Sequence, residues 1–298
     1  MKACPAQRTA IINGCEIAWV EWGDRRNPTM LLSHATGFHS RCWDEVVKYL
    51  DGYFVLAIDH RGHGKSVKAP PYSFVQIGSD LTEFIRLLDL DDIIGVGHSM
   101  GGHCLVQAAA SASGRFKRLT LFDPVIFHPS VYRAAPSIPV ADHPVSRRRN
   151  SWSSPSQMLQ ELKERSPFSR WQSKVLRDYC DHGLVPSDGV YELSCPPNVE
   201  VALYVSAAKA NILSVLPQTD VEVTVVRAKP GRLDAENPDF SVSPTWPKLA
   251  MQFVNGRDEY RPEYSHFLPM ENPELAASLI GSELAIDAYE YEEPMSPK

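Results

Sequence analysis

Ile93-Ile94-Gly95-Val96-Gly97-His98-Ser99-Met100-Gly101-Gly102 is a short apolar run that ends in Gly-x-Ser-x-Gly, with an alanine-rich stretch from Cys104 to Ala112 directly behind it. The order reads strand, tight turn, helix. A serine on such a turn is held in a strained backbone conformation that lifts its hydroxyl above the sheet, and glycines at 97 and 101 remove side chains that would collide. The same turn sets the Met100 N–H at a helix N-terminus, where an unpaired donor can meet a developing oxyanion. Gly-x-Ser-x-Gly also turns up by chance in solvated loops. The strand before it and the helix after it favour a nucleophilic serine.

The flanking chain repeats the alternation. Thr29–Ser33 reads as a buried strand running into the loop His34-Ala35-Thr36-Gly37-Phe38-His39, and 53–59 as a second strand running into His60-Arg61-Gly62-His63-Gly64-Lys65-Ser66. Phe74, Ile77, Leu81, Phe84, Ile85 and Leu88 recur at helical spacing and predict an amphipathic helix over 73–89. Strands are also expected at 118–123 and 221–227. Asn13-Gly14 between two apolar runs predicts an antiparallel hairpin over 8–22. Strand and helix in alternation imply an α/β fold with a mostly parallel sheet covered on both faces.

From Pro124 the texture changes. Residues 124–220 are rich in proline, serine and charge, with helical pieces near 156–163, 169–181 and 199–214. They read as a helical lid inserted into a core made of 1–123 and 221–298, rather than as more sheet. The run Arg147-Arg148-Arg149 is expected on a solvated surface. After 227 a polar loop leads to an expected helix over 247–253, a short strand near 251–254, and a last helix with Asn272 as N-cap and Pro273 at its first position. The acidic stretch 289–298 reads as a frayed tail.

The bulk properties exclude several functions. The 298 residues carry a net charge of −6, which offers no basic surface for nucleic acid. Six cysteines lack zinc or CxxC spacing, and no stretch has the roughly 20 apolar residues of a membrane helix, so a cytoplasmic protein without membrane span or cofactor is expected. His34, His39, His60 and His63 lack the carboxylates that would make a metal site of them, so none is expected. No oligomeric state follows from the sequence.

A serine hydroxyl needs a base, and the base needs an acid to fix its tautomer. His266, between the last strand region and the last helix, fits the base by position. Asp239 is the preferred acid because it lies on the loop after strand 221–227, upstream of Ser243-Pro244-Thr245. Asp234 on the same loop and Asp123 at the end of the preceding strand are the alternatives. Phe38, Trp43, Trp171 and Tyr204 are candidates for an apolar pocket, although core packing is the commoner fate of an aromatic.

His34-Ala35-Thr36-Gly37, Asp59-x-Arg61-Gly62-His63-Gly64-x-Ser66, Gly97-His98-Ser99-Met100-Gly101-Gly102 and Ser265-His266-Phe267 together resemble the α/β-hydrolase family. The resemblance covers about 10–125 and 221–282. In particular the chain looks like a branch of bacterial and fungal hydrolases with a His-Ala-Thr-Gly-Phe-His loop, a branch that also resembles fungal peroxisomal lipase-like proteins. The resemblance implies an eight-stranded sheet, Ser99 as nucleophile, His266 as base, and the N–H groups of Met100 and Thr36, or of Gly37 beside it, as oxyanion donors. The expected reaction is hydrolysis of a small to medium carboxylic ester through an acyl-enzyme. Lactone opening, thioester hydrolysis, perhydrolysis and C–C cleavage use the same residues, and the fold can also serve as a small-molecule receptor with a slow or dead triad. Where the family usually has glycine, this chain has Ala35, which implies a different path for the oxyanion loop.

Overall fold

A computed structural model describes residues 4–134, 143–231 and 239–281. Strands β1 (Ala6–Ile12) and β2 (Cys15–Trp22) form the expected hairpin, with Ile12 opposite Cys15 and both turn residues at positive φ, 46° at Asn13 and 74° at Gly14. That is the geometry in which a type I′ turn matches the twist of its strands. The next apolar runs become β3 (Thr29–Ser33) and β4 (Phe54–Ile58), with the short α1 (Asp44–Val47) between them. Helix α2 (Phe74–Leu87) starts where the Ser73 hydroxyl accepts the Gln76 N–H at 3.1 Å, and buries Phe74, Ile77, Leu81, Phe84 and Ile85. An N-cap of this kind stabilises a helix by about 1 kcal/mol. Strand β5 (Ile93–His98) leads through Ser99 into α3 (Met100–Ser111), and β6 (Phe116–Phe122) follows.

Beyond β6 come α4 (Pro129–Ala134), β7 (Ser151–Trp152), α5 (Pro155–Leu162), α6 (Ser173–His182), β8 (Leu184–Ser187), β9 (Val190–Leu193) and α7 (Pro197–Ala207). The chain then returns to the main sheet with β10 (Glu222–Arg227) and β11 (Asn255–Tyr260), and ends in α8 (Leu268–Glu271) and α9 (Pro273–Gly281). The eight-stranded sheet has the order β1-β2-β4-β3-β5-β6-β10-β11. From β4 to β11 every neighbour pair is parallel, and only β1 and β2 run against their partners. Helices cover both faces. One core joins Ile77, Leu81, Phe84 and Leu105 of α2 and α3 to Leu31, Leu56 and Leu119 of the sheet. The other joins Val46 of α1 and Ala276 and Ile280 of α9 to Met30, Leu32, Val55 and Val96.

Three expectations about elements change. The segment between β6 and β10 is not helical throughout: β7, β9 and β8 form a small antiparallel sheet, turned at Asp188-Gly189 with φ of 42° and 81°. Its strands are four residues or fewer and one contains Pro186, so they carry too little alternation to stand out. The helix expected over 247–253 is only a 3-10 turn at Ala250–Gln252, and the last strand lies at 255–260 rather than 251–254. Its sequence, Asn-Gly-Arg-Asp-Glu-Tyr, is polar because β11 is an edge strand with no buried residue, so hydrophobic patterning cannot find it. The start of α9 is as expected, with Asn272 Oδ1 accepting the Leu275 N–H at 3.0 Å. The acidic stretch 289–298 lies outside the described residues. Among the described residues no helix is long and apolar enough to cross a membrane.

Candidate active site

Five adjacent parallel strands, β3, β5, β6, β10 and β11, send their C-terminal ends toward one edge of the sheet. In such a sheet that edge is where ligands bind. The loop 34–39 follows β3, Ser99 follows β5, Asp123 follows β6, Ala228 follows β10, and His266 comes after β11.

Ser99 has φ 57° and ψ −118°, a strained conformation for a residue with a side chain, and is 6% exposed. Two backbone bonds fix the turn: its N–H donates to the Phe122 carbonyl at 2.9 Å, and its carbonyl accepts from Val125 at 3.1 Å. Gly101 is required by close approach, because a Cβ there would lie 2.1 Å from the Ser33 carbonyl oxygen. The preceding His98 ties the elbow to the histidine loop. Its Nε2–H donates to the His266 carbonyl at 2.8 Å, and the two rings lie 5.0 Å apart. Burial, and then the neighbouring His266, holds the His98 pKa well below the ordinary value, so that ring stays neutral.

His266 Nδ1 faces Asp123 Oδ2 at 3.3 Å, and both side chains are buried. The other oxygen of Asp123 accepts from the Ala228 N–H at 3.1 Å and the Ser243 hydroxyl at 2.5 Å, so the carboxylate is oriented from the far side. The preferred acid, Asp239, is not brought to the histidine. It is exposed, and its Oδ1 accepts from the N–H and hydroxyl of Ser241 at 2.9 and 2.6 Å, the ordinary self-capping use of a loop aspartate. Asp234 lies outside the described residues. Ser243 and Thr245 serve as hydroxyl partners of the Asp123-Pro124 corner. The signal in the sequence was Asp-Pro at the end of the strand next to that of the serine, where the chain must turn sharply out of the sheet.

The loop 34–39 sorts its amides. Phe38 N–H donates to the Ala35 carbonyl at 3.1 Å and Gly37 N–H to His63 Nε2 at 3.1 Å. The Thr36 and Met100 N–H groups have no partner among the described residues, which leaves Thr36 rather than Gly37 available as a second donor. Ala35 sits outside the left-handed region, so the loop takes this path without a glycine there; the positive φ falls at Gly37, at 78°. Behind the loop, His63 Nδ1–H donates to the Arg61 carbonyl at 3.0 Å, and His34 Nε2 accepts the His60 N–H at 3.0 Å. Burial depresses the pKa of His63 to about 4 and of His60 to about 3, so these rings act as neutral hydrogen-bonding struts.

The aromatic candidates separate. Phe38 and Trp171 come together, ring centroids 5.4 Å apart, and Phe267 joins both at 6.0 and 5.4 Å beside His98. Trp43 is fully buried in the core between the sheet and α1 and makes no ring contact with Phe38, Trp171 or Phe267. Tyr204 stacks with Phe240 and His143, and its hydroxyl donates to Glu200 Oε1 at 3.2 Å. The arginine run is not uniformly solvated: Arg147 and Arg149 are exposed, while Arg148 is drawn inward to Glu200 and Tyr179. A cavity of about 10 Å³ behind Asp123 and His266 is no larger than a single water. Among the described residues one set, Asp44, Asp178 and His182, brings metal-ligating atoms within 4.8 Å of one another, but both oxygens of Asp44 already accept from Arg41 at 2.9 Å.

Comparison with known proteins agrees with this architecture. A non-heme chloroperoxidase of Kitasatospora aureofaciens is 32% identical over 117 residues, 38% of this chain and 42% of that protein. An N-formylmaleamate deformylase of Pseudomonas putida is 31% identical over 128 residues, 42% of this chain and 47% of that one. The matches thus span less than half the length of these relatives. Among solved structures, E-2-(acetamidomethylene)succinate hydrolase superposes with a TM-score of 0.75 at 21% identity, covering 93% of this chain and 98% of that one, which shows a shared fold. The model of the alpha/beta hydrolase family matches residues 30–279, and with the elbow at Ser99 and the order of the eight strands it shows that the chain belongs to that family.

Proposed function

We propose that the protein is a serine hydrolase that cleaves a small to medium carboxylic ester through an acyl-enzyme, with Ser99 as nucleophile, His266 as base and Asp123 as the acid that orients it. The observation that carries this reading is the Asp123–His266 contact at 3.3 Å, beside the elbow that holds Ser99. His266 Nε2 takes the proton from Ser99 Oγ as the oxygen attacks the ester carbonyl. The N–H groups of Thr36 and Met100 receive the oxyanion, each worth about 3 kcal/mol in reactions of this kind. The alkoxide leaves as an alcohol with the proton from His266. Water then attacks the acyl group, gives its proton to the same histidine, and releases the acid and the free serine.

Phe38, Trp171 and Phe267 supply the apolar wall against which an acyl chain would rest. The segment 124–220 is read as a lid, supported by its separate sheet and by the contacts of Trp171 and Tyr179 with Phe38. One relative is named a deformylase and one structural neighbour a hydrolase of a substituted succinate; both names describe work on small molecules, which supports a small acyl substrate. Lactone opening proceeds by the same steps. A cytoplasmic setting is supported by six cysteines that are all unpaired.

The test is labelling with a fluorophosphonate probe. Wild-type protein should react and Ser99→Ala should not, and a panel of p-nitrophenyl esters of rising chain length and of lactones then ranks substrates. A well-folded wild type that stays unlabelled would replace the hydrolase with a binding protein on the same fold.

A further inference from the structure

All three residues that follow Thr36 in the oxyanion loop are gripped by side chains or backbone of the segment 143–207. The Glu200 carboxylate of α7 lies against Gly37: a Cβ built on that glycine would sit 3.0 Å from Oε1 and 3.1 Å from the carboxyl carbon. The same carboxylate accepts from Arg148 Nη1 at 2.8 Å and from the Tyr204 hydroxyl at 3.2 Å. Arg148 Nη2 in turn donates to the Tyr179 hydroxyl at 2.7 Å. The Tyr179 ring packs on Phe38 at 5.4 Å and stacks with His39 at 5.9 Å, and its carbonyl accepts from His39 Nε2 at 3.1 Å. Gly37 is therefore clamped between a core histidine, His63, on its N–H and a buried carboxylate on its Cα.

A carboxylate 5% exposed beside an oxyanion site opposes catalysis, because it repels the charge that develops there. Arg148 answers it. Burial works against the guanidinium charge, yet Tyr179 and Glu200 hold its pKa well above the ordinary value, so Arg148 keeps its charge. Removing one partner of such a pair strands the other charge in a poorly solvated place, and the stranded group must move.

We propose that the Glu200–Arg148 pair is a positioning element for the oxyanion loop: seated on Gly37, it fixes the direction of the Thr36 N–H and couples the loop to the inserted segment. The inference rests on the serine-hydrolase reading for its catalytic consequence, though not for its structural one. It also gives Gly37 a reason beyond its backbone angle, since a Cβ there would press on the Glu200 carboxylate and push it a few tenths of an ångström from its seat.

The experiment uses the full chain and has two arms. In the first, hydrogen exchange of the 34–40 segment is followed in wild type, Glu200→Gln, Arg148→Met, Arg148→Lys and Arg149→Met. Glu200→Gln keeps the shape and removes the charge, and it should raise exchange at Gly37 and Phe38 roughly tenfold or more, as should Arg148→Met. Arg148→Lys should recover part of the protection. Arg149→Met breaks an ion pair with Glu161 that does not touch the loop and should change nothing there. In the second arm, turnover of a p-nitrophenyl ester by Glu200→Gln should fall about 100-fold in kcat with KM within a few-fold of wild type, the signature of a displaced catalytic group. The Ki of a trifluoromethyl ketone, whose adduct needs the oxyanion donors, should rise in step with the loss of kcat/KM. Unchanged exchange in Glu200→Gln and Arg148→Met overturns the proposal whatever the activity, as does a loss that falls on KM alone. A wild type without Ser99-dependent turnover would remove the hydrolase reading, and the exchange arm would still decide the positioning role.

Discussion

Replacing Asp123 with asparagine isolates the role of its charge. One oxygen of Asp123 accepts from the Ala228 N–H at 3.1 Å and the Ser243 hydroxyl at 2.5 Å, so in the amide the oxygen must take that side and the NH2 must face His266. The NH2 is a donor where Oδ2 was an acceptor 3.3 Å from His266 Nδ1. His266 then keeps its proton on Nε2 and offers Ser99 a donor instead of a base. Wrong-tautomer substitutions of triad aspartates elsewhere cost about 10⁴-fold in kcat, or ~5.5 kcal/mol of barrier. Asp123→Asn should therefore fold, keep KM, and lose about 10⁴-fold in steady-state turnover of a p-nitrophenyl ester. Asp239→Asn, whose amide oxygen can still accept from Ser241, should stay within a few-fold of wild type. A near-normal Asp123→Asn beside a collapsed Asp239→Asn would refute the assignment and return the acid to the loop after β10.

Buried charged and titratable groups elsewhere in the fold carry further expectations. Buried His60, His63 and His103 have pKa values pushed down to about 3, 4 and 4, while the unfolded chain protonates near 6.5. The unfolded state thus binds more protons below pH 6.5, and each ring withdraws ~2 kcal/mol by pH 5, or ~6 kcal/mol together. That is comparable to the whole stability of a domain. The Tm should fall steeply from pH 6.5 to 5, and a flat profile would sink the argument. Arg61 and Asp80 form a bidentate pair, 3% and 2% exposed, with Asp80 also accepting from Asn13 and Gln76. Arg61→Met should cost about 3–5 kcal/mol in urea unfolding by stranding the carboxylate. Gly101→Ala should fail to yield native protein, since its Cβ would meet the Ser33 carbonyl oxygen at 2.1 Å; recovery of folded, labelled enzyme would contradict the elbow geometry.

The inner strands of the sheet were legible because they are buried and read as short, largely apolar runs, as at Phe54–Ile58 and Ile93–His98. Ser99 and its elbow followed from the glycines, and His266 from its place after the last strand. The acid proposed above was not legible, because choosing between Asp123 and Asp239 depends on which loop folds back over the sheet. The partners that hold the Asp123 carboxylate, Ser243 and Ala228, lie more than 100 positions from it. Arg148 was hidden for a similar reason: a charge run gives no sign of which member finds a buried carboxylate 52 residues away. The small sheet of β7, β8 and β9 and the polar strand β11 escaped because neither has the alternation that a sequence can display.

The polarity of β11 bears on how the molecule behaves at high concentration. One side of that strand pairs with β10, and the other, among the described residues, ends the sheet with backbone donors and acceptors that another chain could extend. Arg257, Asp258 and Glu259 stand along this rim, tied to Arg261 and Arg227 in a band of alternating sign. A second sheet approaching the rim would have to strip water from those charges, and so the strand that escapes hydrophobic patterning also keeps the border of the sheet from seeding fibrils.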